Sequence, residues 1–236
     1  MAAPSRHHAV LSHPRWEAAF GRQTTIEAVL EYIQAHWQER QKLPPPDMQY
    51  SSSEPKITKY FGLSLRKHAR DRGILGYFIP ENSVAYIDEV RQVLESRGRT
   101  DLTYFESGQR DSIEFVVEFK KMKAVLGANT SRKAYCQDGM LRFVNAIYAR
   151  EEDLGFMVGL VEQASQLPDS LDGLKRAIQN PDMALLLNMI KNPSGRTVTS
   201  KGRSFKSCDF ETRHARDHVG YADVALGHFL LVHRPD

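Results

Sequence analysis

Two stretches, Arg99-Thr-Asp-Leu-Thr-Tyr-Phe105 and Ile113-Glu-Phe-Val-Val-Glu-Phe-Lys-Lys121, decide the centre of the fold. Both read as β-strands, and the polar residues 106–111 between them predict a turn, so the pair is expected to form a hairpin. Because alternate side chains of a strand share a face, Glu118 and Lys120 point the same way. Asp101, on the neighbouring strand, can meet them there.

Around this hairpin the sequence predicts helices, about three strands, further helices and closing strands. Apolar residues at helical spacing predict a first helix that begins near Thr24 and runs to Trp37, and a second helix is predicted to begin at Glu54. Further helices are predicted over residues 87–95, 134–148, 155–165, 171–178 and 183–190. Strands are predicted over residues 76–80, 205–214 and 225–232, with a basic loop over 197–203. This mixed order predicts an α/β or α+β fold.

Length and composition predict one domain. The 236 residues are 41% hydrophobic, which is enough for one core over residues 23–236, preceded by a flexible N-terminal arm of residues 1–22. A net charge of +3 permits a nucleic-acid partner without requiring one.

Cysteine usage and hydropathy predict a cytoplasmic protein that does not contact a membrane. The two cysteines, Cys136 and Cys208, show neither a disulfide framework nor metal-ligand spacing. No apolar run approaches the roughly twenty residues that span a bilayer. Arg6, His7 and His8 are followed by no apolar core, so no secretory signal is expected.

The residues at the predicted hairpin suit metal-assisted chemistry. Mg²⁺ prefers oxygen ligands and is commonly held by one or two carboxylates, which Asp101 and Glu118 would supply. A bound metal lowers the pKa of a water molecule, and Lys120 could orient that water. The structural alternative is a solvated Glu-X-Lys on an exposed strand face. Against it, charged residues that end an apolar strand are costly unless they are solvated or functional.

The spacing Asp101–X₁₆–Glu118-X-Lys120 resembles the PD-(D/E)XK nuclease superfamily. The resemblance covers mainly residues 54 to about 165, and Thr100-Asp101 stands where the family has Pro-Asp. It implies an α/β, restriction-endonuclease-like fold with a central mixed β-sheet flanked by helices. It also implies phosphodiester hydrolysis, with Asp101 and Glu118 as ligands of Mg²⁺ or Mn²⁺ and Lys120 as the catalytic lysine.

The same resemblance implies two supporting residues. Many members carry a further acidic residue on a helix before the sheet, which implies Glu54 as a further metal ligand, with Glu31 and Glu27 behind it. The structural alternative is that Glu54 only complements the N-terminus of its helix. Gln137 matches the position of a residue that orients the lysine or a substrate phosphate, whereas Tyr135 is expected in the core.

Basic residues after the catalytic strand are candidates for binding phosphates. These residues are Lys121, Lys123, Arg132, Lys133 and Arg142. Further basic clusters occupy residues 66–72 and 196–216. A solvated surface is the alternative explanation for each cluster. The C-terminal histidines lack metal-ligand spacing, and packing is expected for His228 and His233. No glycine-rich phosphate loop is present, so any energy-dependent step needs a partner.

The sequence therefore predicts a metal-dependent DNA nuclease, with RNA not excluded as substrate. The expected partners are a second copy of the chain in a homo-oligomer, or another protein in a larger complex. The resemblance also suggests the effector of a prokaryotic antiviral defence or mobile-element system. The alternative is a catalytically silent nucleic-acid-binding or scaffold subunit.

Overall fold

The computed structural model describes residues 13–88, 93–108, 112–123, 127–200, 203–216 and 221–234. The helices are α1 (His13–Gln41), α2 (Glu54–His68), α3 (Ala128–Ala134), α4 (Leu141–Val144), α5 (Leu167–Gln179) and α6 (Pro181–Leu186). A π-helical turn, Tyr135–Met140, joins α3 to α4 without a break. The strands are β1 (Tyr77–Pro80), β2 (Ser83–Asp88), β3 (Val93–Arg99), β4 (Leu102–Ser107), β5 (Ser112–Met122), β6 (Leu154–Gln163), β7 (Val198–Thr199), β8 (Phe210–His214) and β9 (Val224–Arg234).

Seven strands form one mixed sheet in the order β1-β4-β5-β6-β9-β8-β7. Strands β5, β6 and β9 are parallel to one another, and the remaining neighbours in this sheet pair antiparallel. Strands β2 and β3 form a separate two-stranded hairpin. The predicted hairpin of β4 and β5 is confirmed, with Leu102 opposite Val117 and Thr103 opposite Val116.

Each face of the large sheet is covered by helices, as alternating side chains of β5 illustrate. Phe115, Val117 and Phe119 enter one apolar core together with residues of α1 and α2. Val116 and Met122 enter a second core with residues of the π-helical turn, α4 and α5. The prediction of an α/β protein with a central mixed sheet flanked by helices is therefore confirmed.

The first two helices form where apolar residues recur at helical spacing. In α2 the buried residues Ile57, Phe61 and Leu65 are four apart and lie on one face. Helix α1 is anchored to the sheet by Trp37, whose indole Nε1–H donates to the carbonyl of Val232 at 2.8 Å. This helix begins at His13 instead of near Thr24, so residues 13–22 of the predicted arm are helical. Residues 1–12 of that arm lie outside the described residues.

The predicted helix over residues 155–165 is wrong, because this segment is strand β6. The run from Leu154 to Val161 is buried throughout, which is typical of a central strand in a parallel sheet covered on both faces. A short apolar run of this kind does not distinguish a buried strand from a buried helix by periodicity. Two glycines allow close packing here: a Cβ at Gly155 would fall 2.3 Å from Phe143, and one at Gly159 2.2 Å from Leu230.

The predicted helix over residues 87–95 is also wrong. The ends of this segment belong to β2 and β3, which pair antiparallel from Ser83 opposite Arg99 to Asp88 opposite Val93. Residues 89–92 lie outside the described residues. Three other predictions hold only in part: the helix over 183–190 ends at Leu186, the loop over 197–203 contains β7, and the strand over 205–214 begins at Phe210. The predicted helix over 134–148 likewise ends early, at Val144, and the remaining predicted helices and strands are confirmed.

A chain of buried hydrogen bonds ties the π-helical turn to the sheet. Tyr135 Oη lies 3.0 Å from His228 Nδ1, and Thr212 Oγ1 lies 2.9 Å from His228 Nε2 and 2.7 Å from His214 Nε2. His214 Nδ1 lies 2.7 Å from the carbonyl of Leu187. Because that carbonyl only accepts, His214 Nδ1 must donate, and one orientation follows for neutral rings: each hydroxyl or ring N–H donates toward Leu187. The predicted burial of Tyr135 and His228 is confirmed.

Within the described ranges, no helix combines the length and the apolar character needed to cross a membrane.

Candidate active site

The site forms where β5 extends beyond its antiparallel neighbour. Pairing between β4 and β5 ends at Leu102 opposite Val117, whereas β5 continues to Met122 alongside β6. Asp101 immediately precedes β4 and therefore lies beside the first residues of this extension. The charged residues Glu118 and Lys120 lie on this extension.

Beyond the end of its pairing with β4, the backbone N–H groups of this edge donate to side-chain oxygens instead of to a neighbouring strand. Alternate backbone N–H groups point to the same edge of a strand. The N–H of Phe119 donates to Asp101 Oδ2 at 2.8 Å, that of Lys121 to Glu54 Oε2 at 2.7 Å, and that of Lys123 to Ser131 Oγ at 3.0 Å. The two carboxylates are thus held by the backbone of β5 itself, which gives them fixed positions.

Lys120 lies at the centre of these acidic groups. Its ammonium nitrogen is 2.7 Å from Glu118 Oε1, 3.1 Å from Glu54 Oε1 and 3.0 Å from the carbonyl oxygen of Phe119. Burial opposes the charge of this group, but the attraction of the carboxylates, above all Glu118, outweighs it and raises the pKa of Lys120. Lys120 is therefore a protonated hydrogen-bond donor and not a base.

Glu118 is the least satisfied group of the site. It is only 1% exposed, and its Oε2 is buried without a hydrogen-bond partner among the described residues. Burial and the neighbouring charge of Asp101 raise the pKa of Glu118 to about 7, although Lys120 opposes the shift. Burial likewise raises the pKa of Asp101, while Lys120 and the N–H of Phe119 oppose it. A buried carboxylate oxygen that accepts no hydrogen bond lowers the free energy of unfolding unless a cation binds it.

Arg142 and Tyr148 close the site from the helical side. Arg142 Nη1 lies 3.9 Å from Glu118 Oε1 and also donates to the hydroxyl of Tyr148. That hydroxyl donates in turn to the carbonyl of Arg99 at 2.5 Å, two residues before Asp101. Burial raises the pKa of Tyr148 to about 12, so its hydroxyl stays protonated.

Sequence reasoning missed Tyr148, and no local pattern reveals it. The residue lies beyond α4, in a turn where Ala146 has a φ of 51°. This left-handed residue redirects the chain, so that Tyr148 returns toward the strand entrance at Arg99. The predicted helix over residues 134–148 placed Tyr148 on a helix that ends at Val144.

The structure brings five of the predicted site residues together and leaves Gln137 apart from them. Asp101, Glu118, Lys120, Glu54 and Arg142 converge as described. Gln137 lies on the π-helical turn, partly buried, and its side chain makes no hydrogen bond within the part of the chain that the structure describes. The turn nevertheless lies close to the strand, because a Cβ at Gly139 would fall 2.5 Å from Met157 Cε and 3.6 Å from Lys120 Cγ.

The acidic alternatives to Glu54 lie elsewhere. Glu27 accepts hydrogen bonds from the backbone N–H groups of Lys206 and Ser207 at 3.0 and 2.7 Å, so it joins α1 to the loop before β8. Glu31 is exposed on α1. Of the three acids that the sequence offered before the hairpin, Glu54 is the one that contacts Lys120.

The predicted phosphate-binding residues also differ in their surroundings. The ammonium of Lys121 bonds to the carbonyls of Tyr50 and Ser52, so Lys121 fixes the loop before α2. Lys123 and Lys133 are exposed. Arg132 packs against α5, where a Cβ at Gly173 would fall 2.2 Å from its Nη2.

The donor set fits a hard divalent cation that retains water ligands. In the described residues, no three His, Cys, Asp or Glu side chains form a group that could hold a metal ion by itself. Mg²⁺ does not require such a cage, since one or two carboxylates, waters and a substrate phosphate suffice. The three carboxylates of Asp101, Glu118 and Glu54 face two cationic groups, Lys120 and Arg142. Oε2 of Glu118, which has no hydrogen-bond partner among the described residues, is the atom that an added cation would contact.

Comparison with known proteins identifies no matching family model, no matching curated protein and no matching solved structure.

Proposed function

We propose that this protein is a Mg²⁺- or Mn²⁺-dependent nuclease that hydrolyses phosphodiester bonds in DNA. The observation that carries the proposal is the Oε2 atom of Glu118, which is buried beside Asp101 and Lys120 and has no hydrogen-bond partner among the described residues. Asp101 and Glu118 would hold the ion. When bound, it would make a water molecule more acidic and offset charge developing on the phosphate.

The residues of the chain have separate tasks in this proposal. Lys120 is protonated, and its three N–H groups donate to Glu118, Glu54 and the carbonyl of Phe119. It would exchange one of these acceptors for the attacking water or a phosphate oxygen when substrate binds. Arg142, partly exposed beside Glu118, provides a second cationic donor for the phosphate. Glu54 positions Lys120 directly, so that it acts through the lysine instead of as a primary ligand.

The resemblance to the PD-(D/E)XK superfamily supports the same function, and the sheet with helices on both faces is compatible with the restriction-endonuclease-like fold. DNA is the proposed substrate, with RNA as the other nucleic acid to be tested. Assembly as a homo-oligomer or with a partner protein, in the cytoplasm, and a role in antiviral defence or a mobile element, are proposed from the resemblance alone.

A catalytically silent nucleic-acid-binding or scaffold subunit is the second candidate, and a specific observation favours it. Hydrogen bonds to the N–H groups of Phe119 and Lys121 already give Asp101 and Glu54 a structural role. The ammonium of Lys120 also occupies the space between Glu54 and Glu118. The carboxylates can thus serve to terminate a sheet edge without metal.

Cleavage of supercoiled and linear DNA in Mg²⁺, Mn²⁺ or EDTA separates the two candidates. We expect metal-dependent nicking that is lost in Lys120→Ala and Glu118→Gln and retained in Lys42→Ala, a variant of an exposed lysine outside the site. Circular dichroism shows whether each variant is folded. Salt-sensitive DNA binding that needs no metal and is unchanged in Glu118→Ala, without cleavage, would establish the scaffold candidate.

A further inference from the structure

A basic groove lies between α3 and α5, outside the candidate active site. Its volume is about 400 Å³, and it is open to solvent. Three cationic side chains line it, Arg132, Lys133 and Arg176, and none of the described residues that line it is acidic. The amide side chains of Asn129 and Asn180 also line it. A cavity lined by cations and amides suits a phosphodiester backbone.

Arg132 is positioned in this groove by packing, and most of its N–H donors make no hydrogen bond to the described residues. Its guanidinium lies against α5 at Gly173, where a Cβ would fall 2.2 Å from Nη2 and 2.4 Å from Cζ. Nη1 makes a long hydrogen bond of 3.5 Å to Asn129, and Nε is buried without a partner in the described part of the chain. The terminal Nη1 and Nη2 groups, unlike the buried Nε, can reach a phosphate and bind it through two parallel hydrogen bonds.

The groove and the active site lie at opposite ends of one helical segment. Helix α3, the π-helical turn and α4 run without interruption, and Arg132 precedes Arg142 by ten residues. At a rise of 1.5 Å per residue, the two arginines are roughly 15 Å apart along the axis. Phosphates of one DNA strand follow one another every 3.4 Å of the duplex axis, so roughly four nucleotides cover this distance.

Both ends belong to the layer that covers the Glu118 face of the sheet. Tyr135 and Phe143 of the helical segment and Leu174 of α5 pack in the same core as Val116, which shares a face with Glu118. A nucleic-acid strand could therefore run from the active site to the groove without crossing the sheet.

We propose that the α3–α5 groove binds the backbone of the substrate strand about four nucleotides from the cleaved bond. The substrate is then an extended polynucleotide and not a mononucleotide or dinucleotide. The location of the cleaved bond rests on the proposed nuclease function, whereas backbone binding by the groove can be measured without cleavage.

Gly173→Ala tests the groove without changing any charge. The new methyl group displaces the guanidinium of Arg132, while alanine is a better helix former than glycine, so the variant should fold. In EDTA, we expect the affinity for a fluorescent 20-nucleotide duplex to fall about threefold to tenfold in Gly173→Ala, Arg132→Ala and Arg176→Ala. The arginine variants should also lower the slope of log affinity against log salt by about 0.9 each.

Substrates of different length distinguish the contribution of the groove from that of the active site. Hydrolysis of bis(4-nitrophenyl) phosphate, which has a single phosphodiester bond, should be unchanged in the three groove variants, whereas KM for the duplex should rise. Unchanged duplex affinity in all three variants, with the wild type active, would overturn the groove and leave the nuclease intact. Weaker duplex binding in the variants, with no hydrolysis by the wild type, would support the groove and contradict the nuclease proposal.

Discussion

The ammonium of Lys120 lies 2.7 Å from one carboxylate oxygen of Glu118, while the other oxygen of Glu118 is buried and has no partner in the part of the chain that the structure describes. One oxygen of the carboxylate is therefore bonded by the protein, and the other is available to a cation that binds from solvent. Burial and the charge of Asp101 raise the pKa of Glu118 even though a lysine touches it. The site should therefore be sensitive to cations, pH and small displacements of its neighbours.

A divalent cation should stabilise the folded protein. Because Mg²⁺ or Mn²⁺ would bind the folded chain through Glu118 and Asp101, it should raise the free energy of unfolding by about 2.7 kcal/mol at a hundredfold excess over its Kd. Thermal unfolding with and without each ion measures this effect. Glu118→Gln should abolish the shift in Tm, whereas Glu114→Gln, an exposed residue on the same strand face, should retain it. An equal shift in both variants would place the metal elsewhere.

Glu118 should make the metal-free protein less stable as the pH rises. Its folded pKa of about 7 exceeds the ordinary value of 4.5, so the folded state binds the proton more tightly. This contribution to stability is fully present below pH 4.5 and is lost as the pH rises through 7. Its size is on the order of 3 kcal/mol. Denaturant unfolding of the wild type and Glu118→Gln between pH 4.5 and 8 should show the wild type losing stability relative to the variant. A constant difference would contradict the assignment.

Tyr148 should act as a positioning residue. Its hydroxyl connects Arg142 to the carbonyl of Arg99, so Tyr148→Phe leaves the ring in place and frees both groups. We expect kcat to fall several-fold with KM nearly unchanged, and stability to fall by about 1–3 kcal/mol. Tyr77→Phe is the control, since Tyr77 is exposed on β1. If kcat falls no further than the loss of folded protein explains, Tyr148 is only structural.

How much of this site can be predicted depends on sequence distance. Asp101, Glu118 and Lys120 are predictable together because a hairpin register and strand alternation fix their relation. Glu54 is 66 residues from Lys120, and only the resemblance pointed to it. Tyr148 reaches Arg99 through a turn with a left-handed residue, for which the sequence carries no signal.

The sheet shows the same limit. The run from Leu154 to Val161 forms a strand only because β5 and β9 lie on either side of it, and neither partner can be identified from the run itself. Buried apolar segments of this length fit a helix or a strand equally well until their neighbours are known. The predicted fold class is still correct despite this error, because replacing one helix by one strand leaves a sheet between two helical layers.

The buried chain from Tyr135 to Leu187 should make the protein sensitive to acid and to loss of one hydroxyl. Burial lowers the pKa of His214 to about 4 from its ordinary 6.5, so its contribution to stability is fully present above pH 6.5 and is lost as the pH falls toward 4. Thr212 stands between the two histidines, and Thr212→Val leaves one ring donor and one ring acceptor unpaired.

We expect Thr212→Val to lower the free energy of unfolding by about 2–6 kcal/mol, because each of the two buried unpaired groups costs about 1–3 kcal/mol. Thr58→Val is the matched control: Thr58 is equally buried but makes only one local hydrogen bond, of 3.3 Å, to Pro55. Nitrogen NMR of the histidine rings should show the proton on Nδ1 of His214 and on Nε2 of His228. The opposite tautomer at either ring would contradict the direction of the chain, because the carbonyl of Leu187 can only accept.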